Sequence, residues 1–105
     1  MYGVTRKYHI APGTQNEAVN LAEKEFLGRI SAMPGFVAFH IIHDGEVGIT
    51  ITIFGSEAEL EDSLHHAAAF VRDHLSHLTS GPVEVLKGPV ALSKIGSDPH
   101  YRRTY

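Results

Sequence analysis

The chain has 105 residues, which is enough for one compact domain with a single hydrophobic core. Apolar residues make up 43% and charged residues 20% of the sequence, a globular composition that excludes a disordered chain. The net charge of -3 comes from scattered charges, without the basic patch expected of a nucleic-acid-binding protein. The absence of cysteine excludes disulfides, thiolate zinc sites and cysteine nucleophiles.

Met1 is not followed by a cationic segment and a long apolar run, so the sequence shows no secretory signal. No stretch is long and apolar enough to suggest a membrane span. We therefore expect a cytoplasmic protein that has neither a membrane nor nucleic acid as a partner.

The first strand is predicted over residues 4–10 and ends where Pro12-Gly13 favours a turn. Thr14 and Glu17 then have the spacing of a capping box, which predicts the start of a helix. The apolar residues of this helix recur at steps of three and four and form one stripe, made of Val19, Ala22, Phe26, Ile30 and Met33. Pro34-Gly35 ends the helix.

The run FVAFHII, residues 36–42, is apolar at both alternating positions, which indicates a strand that is covered on both sides. Asp44-Gly45 follows this run and favours a hairpin turn. In the next strand, residues 47–54, one face is entirely aliphatic, and the other face carries Thr50, Thr52 and Phe54.

Ser56 and Glu59 repeat the capping-box spacing and predict the start of a second helix. Gly81-Pro82 is expected to end it, and a last strand is predicted over residues 83–92, bent at Gly88-Pro89. The domain is therefore expected to cover residues 1–95, followed by a polar tail at residues 96–105. The core stripe of the second helix is predicted to be Leu60, Leu64, Ala67, Ala68, Val71, Leu75 and Leu78.

This order of elements is the β-α-β-β-α-β arrangement of an α+β, ferredoxin-like fold, with two helices on one face of a four-stranded antiparallel sheet. The two helices leave the other face of the sheet uncovered, although residues 36–42 are apolar on both sides. An exposed apolar face of that size usually marks an interface. We therefore predict a homodimer that forms sheet against sheet.

With these elements in place, the sequence resembles the antibiotic-biosynthesis-monooxygenase-like members of the dimeric α/β barrel superfamily. The resemblance covers residues 4–94 and rests on MPGFVAFHII, the hairpin turn, the strand end ITIF and the acidic helix SEAELEDSLHHAAAFVRDHL. It implies a barrel closed across the dimer and, in each protomer, a pocket for a small apolar or aromatic ligand. Because some relatives oxygenate polyketide quinols without metal or flavin, it also implies an oxidoreductase that needs no cofactor.

The leading hypothesis is a cofactor-independent monooxygenase whose deprotonated aromatic or polyketide-type substrate itself reacts with dioxygen. His40 is the candidate base because an imidazole within an apolar strand needs a partner or a ligand. Arg6 and Tyr8 share a strand face and offer a cation and a hydroxyl donor. Phe54, Thr50 and Thr52 are the candidate substrate-binding residues. A hydrogen-bonded interface histidine and an interfacial polar network are the plainer interpretations of the same residues.

One alternative is a non-catalytic small-molecule-binding or stress-response module that uses the same pocket. A second is haem or metal binding through the second helix, where His66, His74 and His77 lie close to Asp73 on one helical stripe. Solvated histidines near a helix C-terminus are the plainer interpretation of that stripe, and no metal site is predicted.

Haem-degrading relatives use an Asn on the first strand, a Trp at the end of the third strand and a His on the second helix. At the matching positions this chain has Arg6 and Phe54, and His66 is only a loose match for the histidine. The resemblance therefore argues against haem degradation.

Overall fold

A computed structural model describes residues 1–96, except for the side chains of residues 81 and 82. The predicted order of elements is confirmed. The polar tail predicted over residues 96–105 lies outside the described residues apart from Gly96. The four strands are β1 (Tyr2–Ile10), β2 (Phe36–Asp44), β3 (Val47–Phe54) and β4 (Thr79–Pro89).

Both helices begin as α-helices and pass into a π-helical turn. Helix α1 consists of Gln15–Ala22, the π-helical turn Glu23–Leu27 and a final turn Gly28–Ser31. Helix α2 consists of Glu57–Phe70 and the π-helical turn Val71–Leu75. No helix in residues 1–96 combines the length and the apolar character needed to cross a membrane.

The strands form one antiparallel sheet in the order β2-β3-β1-β4, which confirms the predicted ferredoxin-like fold. Residues of both helices share one buried cluster with residues of β1 and β3, so α1 and α2 cover the same face of the sheet. We call this the helix-facing surface and its opposite the open face.

The hairpin between β2 and β3 turns at Gly45-Glu46, one residue later than predicted. Asp44 is the last residue of β2 and pairs with Val47, and Gly45 alone in the turn has a positive φ, +58°. Glycine adopts this conformation without the steric cost that other residues bear. The two-residue turn fixes the pairing of every residue on the two strands.

The buried stripes differ from the predicted ones on both helices. Ala18 on α1 and Phe70 on α2 are buried, although neither belongs to its predicted stripe. On α2, Ala68 is exposed and Ser63 is buried instead, with its Oγ donating a hydrogen bond to the Leu60 carbonyl at 2.6 Å. A serine can lie in a helix interior in this way because its hydroxyl finds a backbone acceptor within the same helix.

Only the second predicted capping box forms. Ser56 Oγ accepts the Glu59 backbone N–H at 3.3 Å and donates to Glu59 Oε1 at 2.9 Å. At the start of α1 the Thr14 side chain caps nothing, and its hydroxyl donates back to the Ala11 carbonyl at 2.7 Å. Thr14 has φ -107° and ψ 9°, whereas Ser56 has the extended backbone, φ -140° and ψ 162°, in which a cap residue accepts from the helix N–H groups.

The last strand differs from its prediction at both ends. It begins at Thr79, so residues 81–82 lie within β4 and do not follow the helix as its terminator, and it ends at Pro89. The register between β1 and β4 shifts between Ser80 and Glu84, because Lys7 pairs with Glu84 whereas His9 pairs with Ser80. A proline is tolerated at such a bulge since no regular ladder hydrogen bond is required there.

Two glycines with similar backbone angles should respond differently to alanine. Gly13 has φ +76° with open space around it, whereas a Cβ at Gly35, φ +82°, would lie 2.2 Å from the Glu59 carboxylate carbon. We expect Gly13→Ala to cost about 1–2 kcal/mol for the left-handed backbone alone. Gly35→Ala should cost more, because Glu59 must move and lose its bond from Ser56 Oγ.

Urea unfolding of the two variants measures this difference in the free energy of unfolding. Repeating both in a Glu59→Ala background is the control, because the extra cost at Gly35 should disappear when the carboxylate is absent. An unchanged difference in that background would contradict the assigned contact.

Candidate functional site

A pocket lies between the helix-facing surface of the sheet and the two helices. Its volume is about 700 Å³, including the part that opens to solvent. Strands β1, β2 and β3 form one wall, and α1 and α2 form the other. Most of its lining is apolar, and the polar side chains lie mainly on the sheet wall.

The strand register arranges the sheet wall in three rows. Paired residues of adjacent antiparallel strands point to the same face and lie about 5 Å apart at their Cα atoms. From the hairpin end inward, the rows are Tyr8, Gly48 and His43; then Arg6, Thr50 and Ile41; then Val4, Thr52 and Phe39.

The helix wall ends in a cluster of aromatic rings. Phe26 packs edge-on against Phe39 with a centroid distance of 5.4 Å and stacks on Phe70 at 5.1 Å. Phe70 in turn stacks on His74 at 5.4 Å. Phe26 lies within the π-helical turn of α1, and Phe70 immediately precedes that of α2. Such turns are frequent at functional sites because they re-aim side chains within a helix.

Arg6 places a cation in the centre of the sheet wall. Its Nε is buried and has no hydrogen-bond partner within residues 1–96. None of the described side chains that line the pocket is acidic, and no ion pair of Arg6 occurs in that part of the chain. A buried donor without an acceptor is costly, so the site is suited to a ligand that supplies an acceptor.

His43 lies at the hairpin end of the pocket, where burial lowers the pKa of its imidazole from the ordinary value of 6.5. The neutral ring can therefore accept a proton at neutral pH. The ring lies over Gly48, where an added Cβ would come within 3.3 Å of His43 Cδ2. The glycine thus leaves room for the imidazole against the sheet.

The structure brings four of the six predicted site residues together, since Arg6, Tyr8, Thr50 and Thr52 all line the pocket. Phe54 lies on the same face of the sheet, but it is fully buried in the core against Phe36 and does not form the pocket wall that we predicted. Phe26, Phe39 and Phe70 supply the aromatic wall.

His40 does not share the pocket with these residues, so its predicted place beside Arg6 and Tyr8 is wrong. Its backbone pairs with Ile51, and its exposed side chain lies on the open face of the sheet. His43, one residue before the last residue of β2, takes the pocket position. Across a two-residue turn an odd-numbered residue of one strand pairs with an even-numbered residue of the other, so the face of Thr50 and Thr52 continues on β2 at odd-numbered positions. This rule would have selected His43 over His40 from the sequence.

The histidines of α2 have separate surroundings. His66 is exposed, His74 stacks on Phe70, and His77 Nε2 lies 3.6 Å from Glu17 Oε1. Asp73 interacts with its neighbour Arg72 at 3.0 Å. Within residues 1–96 no group of three or more histidine, aspartate or glutamate side chains is arranged to hold a metal ion. The geometry therefore gives no support to the metal alternative.

The fold occurs in several solved structures of low sequence identity. A protein of unknown function from Nitrosomonas europaea is 18% identical with a TM-score of 0.77, over 92% of this chain and 95% of that one. A monooxygenase from the gene ActVA-Orf6 of Streptomyces coelicolor, in complex with the ligand nanaomycin D, is 21% identical with a TM-score of 0.72, over 91% and 92%.

A heme-degrading protein from Mycobacterium tuberculosis with two hemes bound in its active site is 17% identical with a TM-score of 0.68, over 91% of this chain and 100% of that one. No family model and no curated protein matches the sequence. The chain therefore has the ferredoxin-like fold found in antibiotic biosynthesis monooxygenases, as the resemblance implied.

The buried imidazole should make stability depend on pH. Because the pKa of His43 is lowered by folding, the unfolded chain binds its proton more readily than the folded chain. We expect the free energy of unfolding to fall as pH drops below 6.5 and through the folded-state pKa of His43. This component should be absent from His43→Gln.

Two-dimensional NMR of the imidazole signals gives the pKa of His43 directly, with the His43→Gln spectrum assigning the signal. Urea unfolding at about pH 7.5 and about pH 5 tests the linked change in stability. A folded-state pKa of 6.5 or above would show that burial does not govern this residue.

Proposed function

We propose that the protein is a cofactor-independent monooxygenase-like oxidoreductase that binds a small aromatic substrate in the pocket between sheet and helices. The observation that carries the proposal is Arg6, a cation with a buried donor, placed beside Tyr8 and a neutral His43 in an otherwise mainly apolar pocket. Thr50 and Thr52 add small hydroxyl groups to the same wall. The monooxygenase in complex with nanaomycin D, which shares the fold, supports the same class of function.

Each polar residue has a distinct role in the proposal. His43 accepts a proton from the substrate, because a neutral imidazole is the base form. Arg6 stabilises the resulting oxyanion, and Tyr8 donates a further hydrogen bond to it. A bound aromatic ring would displace water from this mainly apolar pocket, which strengthens these interactions. The cluster of Phe26, Phe39 and Phe70 holds the aromatic ring.

The reaction balances without an external reductant. The deprotonated substrate passes electrons to dioxygen and forms a carbon–oxygen bond with it, giving a hydroperoxide at that carbon. Cleavage of the oxygen–oxygen bond leaves one oxygen atom as a carbonyl and releases the other as water. The carbon that reacts is the CH₂ group of the keto form of the phenol. It loses four electrons in becoming C=O, and dioxygen gains the same four electrons. His43 takes the first proton and can return it to the departing oxygen.

We further propose that two copies of the chain pair through the open face of the sheet. That face carries Ile49, Ile51 and Ile53 along β3, and Ile42 beside them is 53% exposed. A contiguous apolar surface of this kind is typical of an interface. His40 then lies at the interface, which is the plainer of its two sequence interpretations.

Oxygen uptake with anthrone- and quinol-type phenols tests the proposed chemistry. We expect turnover in the wild type and a loss of about a hundredfold to a thousandfold for His43→Gln or Arg6→Gln, since general-base and oxyanion interactions each contribute on that scale. Tyr8→Phe should lose less, because it removes one hydrogen bond from a substrate that Arg6 still holds.

His40→Gln is the matched control, because it makes the same substitution on the opposite face of the sheet. It should keep the activity of the wild type when both are dimers. If His40→Gln loses activity and His43→Gln does not, the assignment of the base is wrong. Binding of the phenols without any oxygen uptake would favour the non-catalytic binding module.

The dimer is tested by placing a charge on the open face. Ile51→Lys should convert the dimer to a monomer, as measured by light scattering after size exclusion, because a lysine at the centre of the interface must be desolvated. Ala68→Lys, on the exposed side of α2, is the control and should stay dimeric. A wild-type chain that is monomeric at micromolar concentration would overturn the proposed interface.

A further inference from the structure

We infer that the pocket selects an aromatic substrate that carries a carboxylate, which pairs with Arg6. This inference rests on the proposed function, because it concerns the substrate of the same pocket. It goes further in that it asks for a permanent charge on the substrate, a carboxylate that takes one pair of Arg6 N–H donors and leaves the remaining N–H groups for the oxyanion that forms during the reaction.

Two neighbouring cations of β1 differ in whether a carboxylate balances their charge. Arg6 and Lys7 are adjacent cations whose side chains alternate between the two faces of the sheet. Lys7 has a carboxylate partner, since its Nζ lies 3.6 Å from Glu84 Oε2 on the neighbouring strand. Arg6 has none within residues 1–96, and no acidic side chain in that range lines its pocket. The anion that Arg6 lacks is one that a ligand can bring.

The atoms of Arg6 indicate which anion fits. A guanidinium presents planar pairs of N–H donors that match the two oxygens of a carboxylate. Nε is buried and has no acceptor within residues 1–96, so a ligand that satisfies it must turn the guanidinium until Nε and a terminal nitrogen point together at the ligand. A phenolate has a single oxygen, which the two parallel N–H groups can share only through bent hydrogen bonds. A carboxylate satisfies both.

The rows of the sheet wall place the rest of the molecule. Adjacent rows are two residues apart along a strand, or about 7 Å. The row with Arg6 has the row of Tyr8 and His43 on one side and the row that contains Phe39 on the other. One or two fused rings span that distance between a carboxylate at Arg6 and a hydroxyl at His43. The predicted substrate class is therefore a hydroxy-substituted aromatic carboxylic acid.

The test compares an acid with its neutral isostere. We would titrate the protein with 6-hydroxy-2-naphthoate and with the corresponding carboxamide, which keeps the ring, the hydroxyl and the size, and follow the fluorescence of the ligand. We expect the wild type to bind the acid about tenfold to a hundredfold more tightly than the amide, as for a buried hydrogen-bonded charge pair. Arg6→Gln should bind both ligands about equally.

Two further variants separate charge from geometry. Lys7→Gln removes one positive charge from the next residue of the same strand but on the open face, so it should keep the full preference for the acid. Arg6→Lys keeps the charge but loses the planar donor pair, so it should keep only part of the preference. Melting curves of all variants show that each is folded before it is titrated.

Equal affinity of the wild type for acid and amide, or failure to bind either, would overturn the inference. So would an equal loss of preference in Lys7→Gln, which would indicate a long-range effect of net charge. Oxygen uptake separates this result from the proposed function. A preference for the acid without oxygen uptake would support the inferred carboxylate and contradict the proposed monooxygenase activity. Oxygen uptake with neutral phenols and no preference for the acid would support the activity and contradict the carboxylate.

Discussion

The pairing of β2 with β3 across the two-residue turn Gly45-Glu46 is the constraint on which the rest of the site depends. Because side chains alternate along a strand, this pairing decides that His43 faces the helices and His40 faces away from them. The pairing of β1 with β3 then brings Arg6 opposite Thr50. A turn one residue longer or shorter would shift the pairing by one residue. His40 would then face the helices in place of His43, and the apolar residues of β2 would change faces. The positive φ of Gly45 is therefore linked to the chemistry of a pocket that it does not touch.

The two ends of the layer between sheet and helices have different contents. At one end Phe54, Leu60 and Ile30 are almost completely buried and form a filled core. At the other end the helices present Ala18, Ala22 and Ala67, whose side chains are too small to reach the sheet and so leave the pocket between them. The Gln15 side chain donates to the Gly45 carbonyl at 2.7 Å and ties the start of α1 to the hairpin at this end. One end of the layer is thus filled by side chains, whereas the other has space for polar groups and a ligand.

Much of this could be predicted from the sequence, and the reasons for the rest are specific. Element order, the antiparallel sheet and the placement of Arg6, Tyr8, Thr50 and Thr52 on one face follow from periodicity, which is a local property. The pocket position of His43 could also have been predicted. A two-residue turn at residues 44–45 or 45–46 pairs His40 with an isoleucine on the aliphatic face of β3, which leaves His43 on the face of Thr50 and Thr52. The burial of Phe54 was not, since alternation gives the face of a residue and not its depth. The cap at Thr14 failed because its backbone is not extended, which the spacing of Thr14 and Glu17 does not show. The beginning of β4 at Thr79 depends on its pairing with β1, far away in sequence.

Strand alternation also explains how so small a chain can separate two tasks. Arg6 and Lys7 are neighbours, as are Ile41 and Ile42, yet in each pair one side chain points into the pocket and the other onto the open face. A substitution on one face therefore leaves the side-chain contacts of the other unchanged, although both faces share the same backbone. The charges follow this division, since Lys7 is neutralised by Glu84 within the sheet while Arg6 has no such partner in residues 1–96. An arginine that served only to make the sheet soluble would gain nothing from the pocket side, where its desolvation is uncompensated until an anion arrives. Its position on that side is therefore better explained by a ligand than by folding.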